Sequence, residues 1–89
     1  MRVVFRCFAR SEVIALFCDS AKDCNPGRVM SYMHVGQHGE ACRDLGRNLR
    51  LATPKEYASL KRELEGIYWP EPIIPVTRLV ARYGARRIK

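Results

Sequence analysis

Apolar and polar positions fall into two rhythms along this chain, one of period two and one of period 3.6. Val3-Val4-Phe5-Arg6-Cys7-Phe8 is β-branched and aromatic, which predicts a strand. Ala9-Arg10-Ser11-Glu12 makes a turn, and Val13-Ile14-Ala15-Leu16-Phe17-Cys18 follows without a polar position. A strand of that kind is central in its sheet or covered on both faces, and the two together predict a hairpin. Asp19 to Arg28 collects Asp, Ser, Lys, Asn, Pro and Gly, a loop composition with its turn at Asn25-Pro26-Gly27. Val29 to Val35 alternates again: Ser31, Met33 and Val35 share one face of a third strand, and Met30, Tyr32 and His34 the other. Gly36 and Gly39 end it, and Gly39 to Asn48 reads as a polar connection.

The longer rhythm begins at Thr53-Pro54-Lys55-Glu56. Thr53 caps a helix, Pro54 takes its first position, and Glu56 reaches back to the cap amide. Tyr57, Leu60, Leu64 and Ile67 then recur at spacings of three, four and three, one apolar stripe on a helix over about residues 54–65, with Gly66 as its stop. Ile67 to Pro75 holds three prolines and the single tryptophan, an extended connection whose Trp69, Ile73 and Ile74 pin it to the core. Val76 to Tyr83 alternates as a half-exposed edge strand with Arg78 and Arg82 on one side, where arginine also discourages edge-to-edge aggregation. The pattern predicts an α+β fold: an antiparallel or mixed sheet of about four strands, in the order β-β-β-α-β, packed by one helix. The 89 residues suffice for one such domain, burying roughly 60–65% of the unfolded surface, with a frayed basic tail over 84–89.

Charge changes the picture at the C-terminal end. Lysine and arginine total 16 against 9 acids, for a net charge of +7. From Pro72 to Lys89 there are five basic residues, Arg78, Arg82, Arg86, Arg87 and Lys89, and no acid. Most of the cations are arginine, which suits bidentate contacts to phosphate or carboxylate. The patch predicts attraction to phosphate backbones or acidic protein surfaces, that is, to nucleic acid or a nucleoprotein. The blander account is a solubilising surface rich in arginine. No apolar run is long enough to span a membrane, the longest uncharged one being Val13–Cys18, and Arg6 and Arg10 interrupt what would be the apolar part of a signal peptide. A cytoplasmic setting is expected. There thiols stay reduced, so Cys7 and Cys18 are read as small core hydrophobes and Cys24 and Cys42 as loop thiols.

The densest chemistry lies in Ser31-Tyr32-Met33-His34-Val35-Gly36-Gln37-His38-Gly39-Glu40, which holds both histidines. His34, His38 and Cys42 recur every four residues, but Gly36 and Gly39 argue against the helix that would stack them. Drawing in Cys18 and Cys24 gives C-x5-C-x9-H-x3-H, a poor fit to zinc-finger spacing. No metal or cofactor is therefore expected. A catalytic alternative makes His34 and His38 general base and acid on an RNA 2′-hydroxyl, with a cation on the phosphorane, as in a small ribonuclease-like toxin. The third reading is recognition or structure. Tyr32, His34, Gln37 and His38 form a specificity edge beside the basic patch, with Tyr32 more often core or rim than a stacking platform.

Val13-Ile14-Ala15-Leu16-Phe17, the string Ser31-Tyr32-Met33-His34-Val35-Gly36-Gln37-His38, and Ala52-Thr53-Pro54-Lys55-Glu56-Tyr57 with Leu60-Lys61-Arg62-Glu63-Leu64 together resemble a family of small uncharacterised proteins carried by phages and mobile elements. The resemblance spans about residues 3–67, and the S-Y-x-H-x-G-Q-H string is its most specific part. It implies no catalytic residue. It does imply a context in which small accessory proteins bind and inhibit host machinery, so an anti-defence inhibitor such as an anti-CRISPR protein is the specific expectation. The sequence thus predicts a non-enzymatic basic binding module using Arg78, Arg82, Arg86 and Arg87 with Tyr32, His34, Gln37 and His38. A ribonuclease is the alternative, and a homodimer through an exposed edge strand is permitted.

Overall fold

The computed structural model describes residues 1–8, 12–18, 28–34, 37–42 and 49–78; the side chains of Gln37 and Cys42 lie outside that description. Among the described residues, six strands and one helix follow in the order β1 (Arg2–Cys7), β2 (Val13–Phe17), β3 (Arg28–Met33), β4 (Gln37–Cys42), β5 (Arg50–Leu51), α1 (Pro54–Ile67) and β6 (Ile74–Val76). The strands form one sheet with the path β4-β3-β2-β1-β5, and β6 pairs with β1 on the same side as β5. All pairings are antiparallel except β1 with β6.

The first three strands lie where their patterns require. β1 and β2 form the hairpin, with Val3 opposite Phe17 and Cys7 opposite Val13. β2 is buried at every position because it sits between β1 and β3 and is covered on both faces. On one face Val3, Phe5, Cys7, Val13, Ala15, Phe17 and Tyr32 pack with Leu60 and Leu64 of α1. On the other, Val4, Ile14, Leu16, Cys18, Val29 and Ala41 form a second cluster, flanked by Phe8, Met33, Leu49 and Val76. Cys7 and Cys18 are buried members of these two clusters, as expected; Cys24 lies outside the described residues, and Cys42, expected in a loop, ends β4 opposite Arg28.

α1 starts as its capping box dictates. The Glu56 amide donates to Thr53 Oγ1 at 3.3 Å and the Thr53 amide donates to Glu56 Oε1 at 2.9 Å. Leu60 and Leu64 are fully buried, and Tyr57 stacks on Phe5 with ring centroids 4.4 Å apart. The helix runs on through Gly66 to Ile67, which is half exposed and takes no part in the stripe. It closes when the Tyr68 amide donates to Leu64 O at 2.9 Å.

Three expectations need correction. The polar stretch after Gly36 contains a strand: β4 pairs with β3 from Arg28–Cys42 to Met33–Gln37. Its polarity reflects its place at the end of the sheet path, with His38, Gly39 and Glu40 exposed and Ala41 buried. Gly39 sits inside that strand and accepts a 2.8 Å bond from Ser31 Oγ instead of terminating anything. With β5, the sheet has two more strands than the pattern indicated. The last strand begins at Ile74 and ends at Val76, so Thr77 and Arg78 lie beyond it. Pro75 is tolerated because a strand paired along one side can leave its other edge without a ladder donor. Of Trp69, Ile73 and Ile74 in the connection before it, only Ile73 is a core anchor (5% exposed), while Trp69 is 80% and Ile74 49% exposed. The remainder of the proposed C-terminal strand, and the tail over 84–89, lie outside the described residues.

Candidate functional site

Strand alternation puts Met30 and Tyr32 on the α1 side of β3, and His34 continues the same alternation just past the strand end. β4 sets His38 directly opposite Tyr32. His34 and His38 are thus diagonal neighbours on one face, a relation that spaces backbone positions by about 7–8 Å. α1 crosses this face with Ser59 and Glu63, four residues apart and so one above the other. Tyr68, at the helix C-terminus, completes the group.

Glu63 is the centre of the network. It accepts a hydrogen bond from the Tyr32 hydroxyl on Oε1, and its Oε2 lies 2.9 Å from His34 Nδ1. A carboxylate only accepts, so Nδ1 carries the hydrogen and, in the neutral ring, the lone pair is on Nε2. That nitrogen faces Ser59 Oγ at 3.5 Å. The His34 and Glu63 side chains are 47% and 32% exposed, so the pair sits at the rim of the core. Tyr32 is buried, with its hydroxyl committed to Glu63.

His38 belongs to the same face through its ring. It lies 4.5 Å from the Tyr32 ring centroid, 6.1 Å from Tyr68 and 6.2 Å from Phe17, and its Nε2 is 2.8 Å from the Tyr68 hydroxyl. Burial pushes the Tyr68 phenol above its ordinary pKa, which keeps the hydroxyl protonated and able to donate to that nitrogen. The arrangement ties the helix and its exit to the β3–β4 hairpin. It also presents two imidazoles beside a carboxylate and two phenols, a set from which an acid and a base could be drawn.

A second polar cluster sits at the other end of α1. Arg50 of β5 donates to Glu56 from both terminal guanidinium nitrogens, at 2.8 and 2.6 Å. The bond to Arg50, and the Thr53 amide after it, bring the Glu56 carboxyl down to about 2. Arg50 is in turn held further above its already high pKa, chiefly by that bond. Burial pushes the Cys7 thiol up; Arg50 opposes the shift and Glu56 adds to it, so the thiol stays protonated and inert.

Of the residues singled out from the sequence, Tyr32, His34 and His38 are brought together. Gln37 has its backbone in β4 opposite Met33. Arg78 is exposed just past β6, and Arg82, Arg86 and Arg87 lie outside the described residues. β6 flanks β1, whereas β4 ends the opposite side, so four strand spacings of about 4.8 Å, roughly 19 Å, separate the start of the basic segment from the histidine strand. The described residues therefore do not merge them into one surface. Ser59, Glu63 and Tyr68 were not singled out. Ser59 and Glu63 border the Leu60–Leu64 stripe at helical spacing, which marks them as flank positions. Their pairing with His34 depends on how the helix crosses the sheet.

No protein family, no curated protein and no solved structure matches this chain.

Proposed function

We propose that this chain is a small non-enzymatic module that binds nucleic acid, free or held in a host nucleoprotein. The observation that carries the reading is how its charges are spent. Glu56 is bound to Arg50, Glu65 to Lys61 at 2.7 Å, Glu63 to His34 and Tyr32, and Glu71 to the Met1 amine at 3.4 Å. Arg28, Lys55, Arg62 and Arg78 are exposed and make no ion pair among the described residues. Lys55 and Arg62 are seven residues apart on α1 and share its outer face. Four acids engaged within the fold and four exposed cations left open favour a phosphate backbone as ligand. The anti-defence reading, an anti-CRISPR inhibitor included, draws on the resemblance carried by the Ser31–His38 string; the host nucleoprotein would then be a nucleic-acid-bearing defence complex.

The test is fluorescence anisotropy of labelled RNA, single-stranded DNA and duplex DNA at about 50 and 200 mM salt. Affinity should fall by about 10- to 150-fold between the two, the size expected of roughly two to four phosphate contacts. A Lys55→Gln/Arg62→Gln variant should flatten that slope. Absence of binding at the lower salt refutes the proposal.

One observation favours a second reading. The His34–Glu63 bond orients an imidazole base on the face that also carries His38, the arrangement a ribonuclease-like enzyme would need. That reading requires RNA shortening in the same tubes, abolished by His34→Ala or His38→Ala with binding retained. Intact RNA rejects it.

A further inference from the structure

We propose that Trp69 is a stacking platform for an unpaired nucleobase, an inference that rests on the nucleic-acid reading above and names the form of nucleic acid: single-stranded. Trp69 is 80% exposed, yet it is not on a free loop. The Glu71 amide donates to Tyr68 O at 2.8 Å, closing a turn with Trp69 and Pro70 at its tip. The Tyr68 amide seats that turn on the last turn of α1 through Leu64 O. On the near side, the Tyr68 ring points inward, edge-on to Phe17 at 5.8 Å, with its hydroxyl on His38. On the far side, Ile73 is buried in the core and the Ile74 amide donates to Met1 O at 2.8 Å. The connection is thus anchored inward at Tyr68 and Ile73, and the four residues between them, Trp69 to Pro72, are exposed, which leaves the indole in water.

An indole carries a large apolar surface, and an ordered aromatic held in water is the form that binding hot spots take, because little further freedom is lost on contact. Ile67 and Ile74, each about half exposed, add apolar surface in the same short segment. Charge selects the occupant. The chain carries +7, has no acid from Pro72 onward, and leaves Arg28, Lys55, Arg62 and Arg78 without ion pairs among the described residues. An apolar cavity on a partner protein would use the indole and none of that charge. A single strand uses both: cations track the backbone while a base, whose faces a duplex would hide, lies on the ring.

Trp69 is the only tryptophan, so intrinsic emission reports this one side chain. The experiment titrates the protein with labelled oligothymidine of about 15 nucleotides, and separately with a duplex of the same length, at low salt. Tryptophan emission and oligonucleotide anisotropy are read together. Quenching should track the anisotropy rise for the single strand. Trp69→Ala should weaken that binding by about 5- to 160-fold, the range measured for loss of one base–aromatic stack. Trp69→Phe should keep most of the affinity, the salt slope should stay unchanged, and the exposed position should leave the melting temperature of both variants unaltered. Oligothymidine binding with unchanged emission and unchanged Trp69→Ala affinity overturns the platform while leaving the electrostatic reading intact. So does a Trp69→Ala loss that is equal for duplex and single strand. Absence of any oligonucleotide binding at low salt overturns both readings at once.

Discussion

Replacing Tyr32 by Phe removes one oxygen from the centre of the histidine face and leaves the ring packing in place. Tyr32 is 2% exposed and its hydroxyl donates to Glu63. A hydrogen bond to a charged acceptor contributes about 1.5–3 kcal/mol. Glu63 keeps His34 as a partner and its side chain is 32% exposed, so water takes over part of the lost bond. The expected loss is therefore about 1–2 kcal/mol, at the lower end of that range. For a domain of this size each kcal/mol lowers Tm by about 4–8 °C, so the variant should melt roughly 4–16 °C below the parent. Urea unfolding followed by circular dichroism should show a lower midpoint at unchanged m, because the surface exposed on unfolding is the same. The decisive measurement is a double-mutant cycle with Glu63→Gln. Partners in direct contact should couple by about 1 kcal/mol or more. Effects that add to within about 0.5 kcal/mol would show that the hydroxyl does not act through Glu63, and the network as described would be wrong.

Acid should strip a separate stabilisation from the other end of the helix. The Glu56 carboxyl is lowered in the fold from 4.5 to about 2. A folded value below the unfolded one contributes stability that is present above about pH 4.5 and lost as pH falls toward 2. The difference between parent and Glu56→Gln, measured by urea unfolding, should shrink progressively across that window; a gap that stays constant from pH 6 to 2 contradicts the Arg50–Glu56 assignment. Leu64→Ala should cost about 2–5 kcal/mol because the side chain is fully buried between helix and sheet. Ile67→Ala should stay within about 0.5 kcal/mol, since that position is half exposed and off the packed stripe; chemical denaturation of the pair compares the two directly.

The elements legible in the sequence are those whose side chains meet the core at a regular period. The β1–β2 hairpin is a near-continuous apolar run buried on both faces, and the capped helix buries positions three and four apart, so pattern and burial coincide. β4 was not legible because an edge strand buries little: His38, Gly39 and Glu40 face water, and glycine and charge are what a loop also displays. β5 is two residues long and owes its existence to the β1 edge it pairs with. Trp69 misled for a different reason. Hydrophobicity favours burial, but Tyr68 and Ile73 fill the inward positions on either side, and backbone geometry turns Trp69 out. At the candidate site the two histidines and Tyr32 stood out by composition. Their partner Glu63 did not, because local patterning says nothing about which helical carboxylate a strand will meet across the sheet.

β1 borders more of the sheet than any other strand, with β2 on one side and both β5 and β6 on the other. That sharing sets an order of assembly. Its hairpin partner is next in the chain, whereas its second flank waits for residues 50–51 and then 74–76, whose loop closures are long and slow. Throughout that interval the nascent hairpin presents a bare, strongly apolar edge, the hazard that drives intermolecular pairing. Arg2 and Arg6 interrupt that edge. Arg6 is poorly suited to the finished fold: Nη1 reaches Leu49 O at 2.9 Å, but Nε is buried without a hydrogen-bond partner among the described residues. A charge on that edge is of the kind that discourages pairing with a neighbouring chain while the flank is still bare.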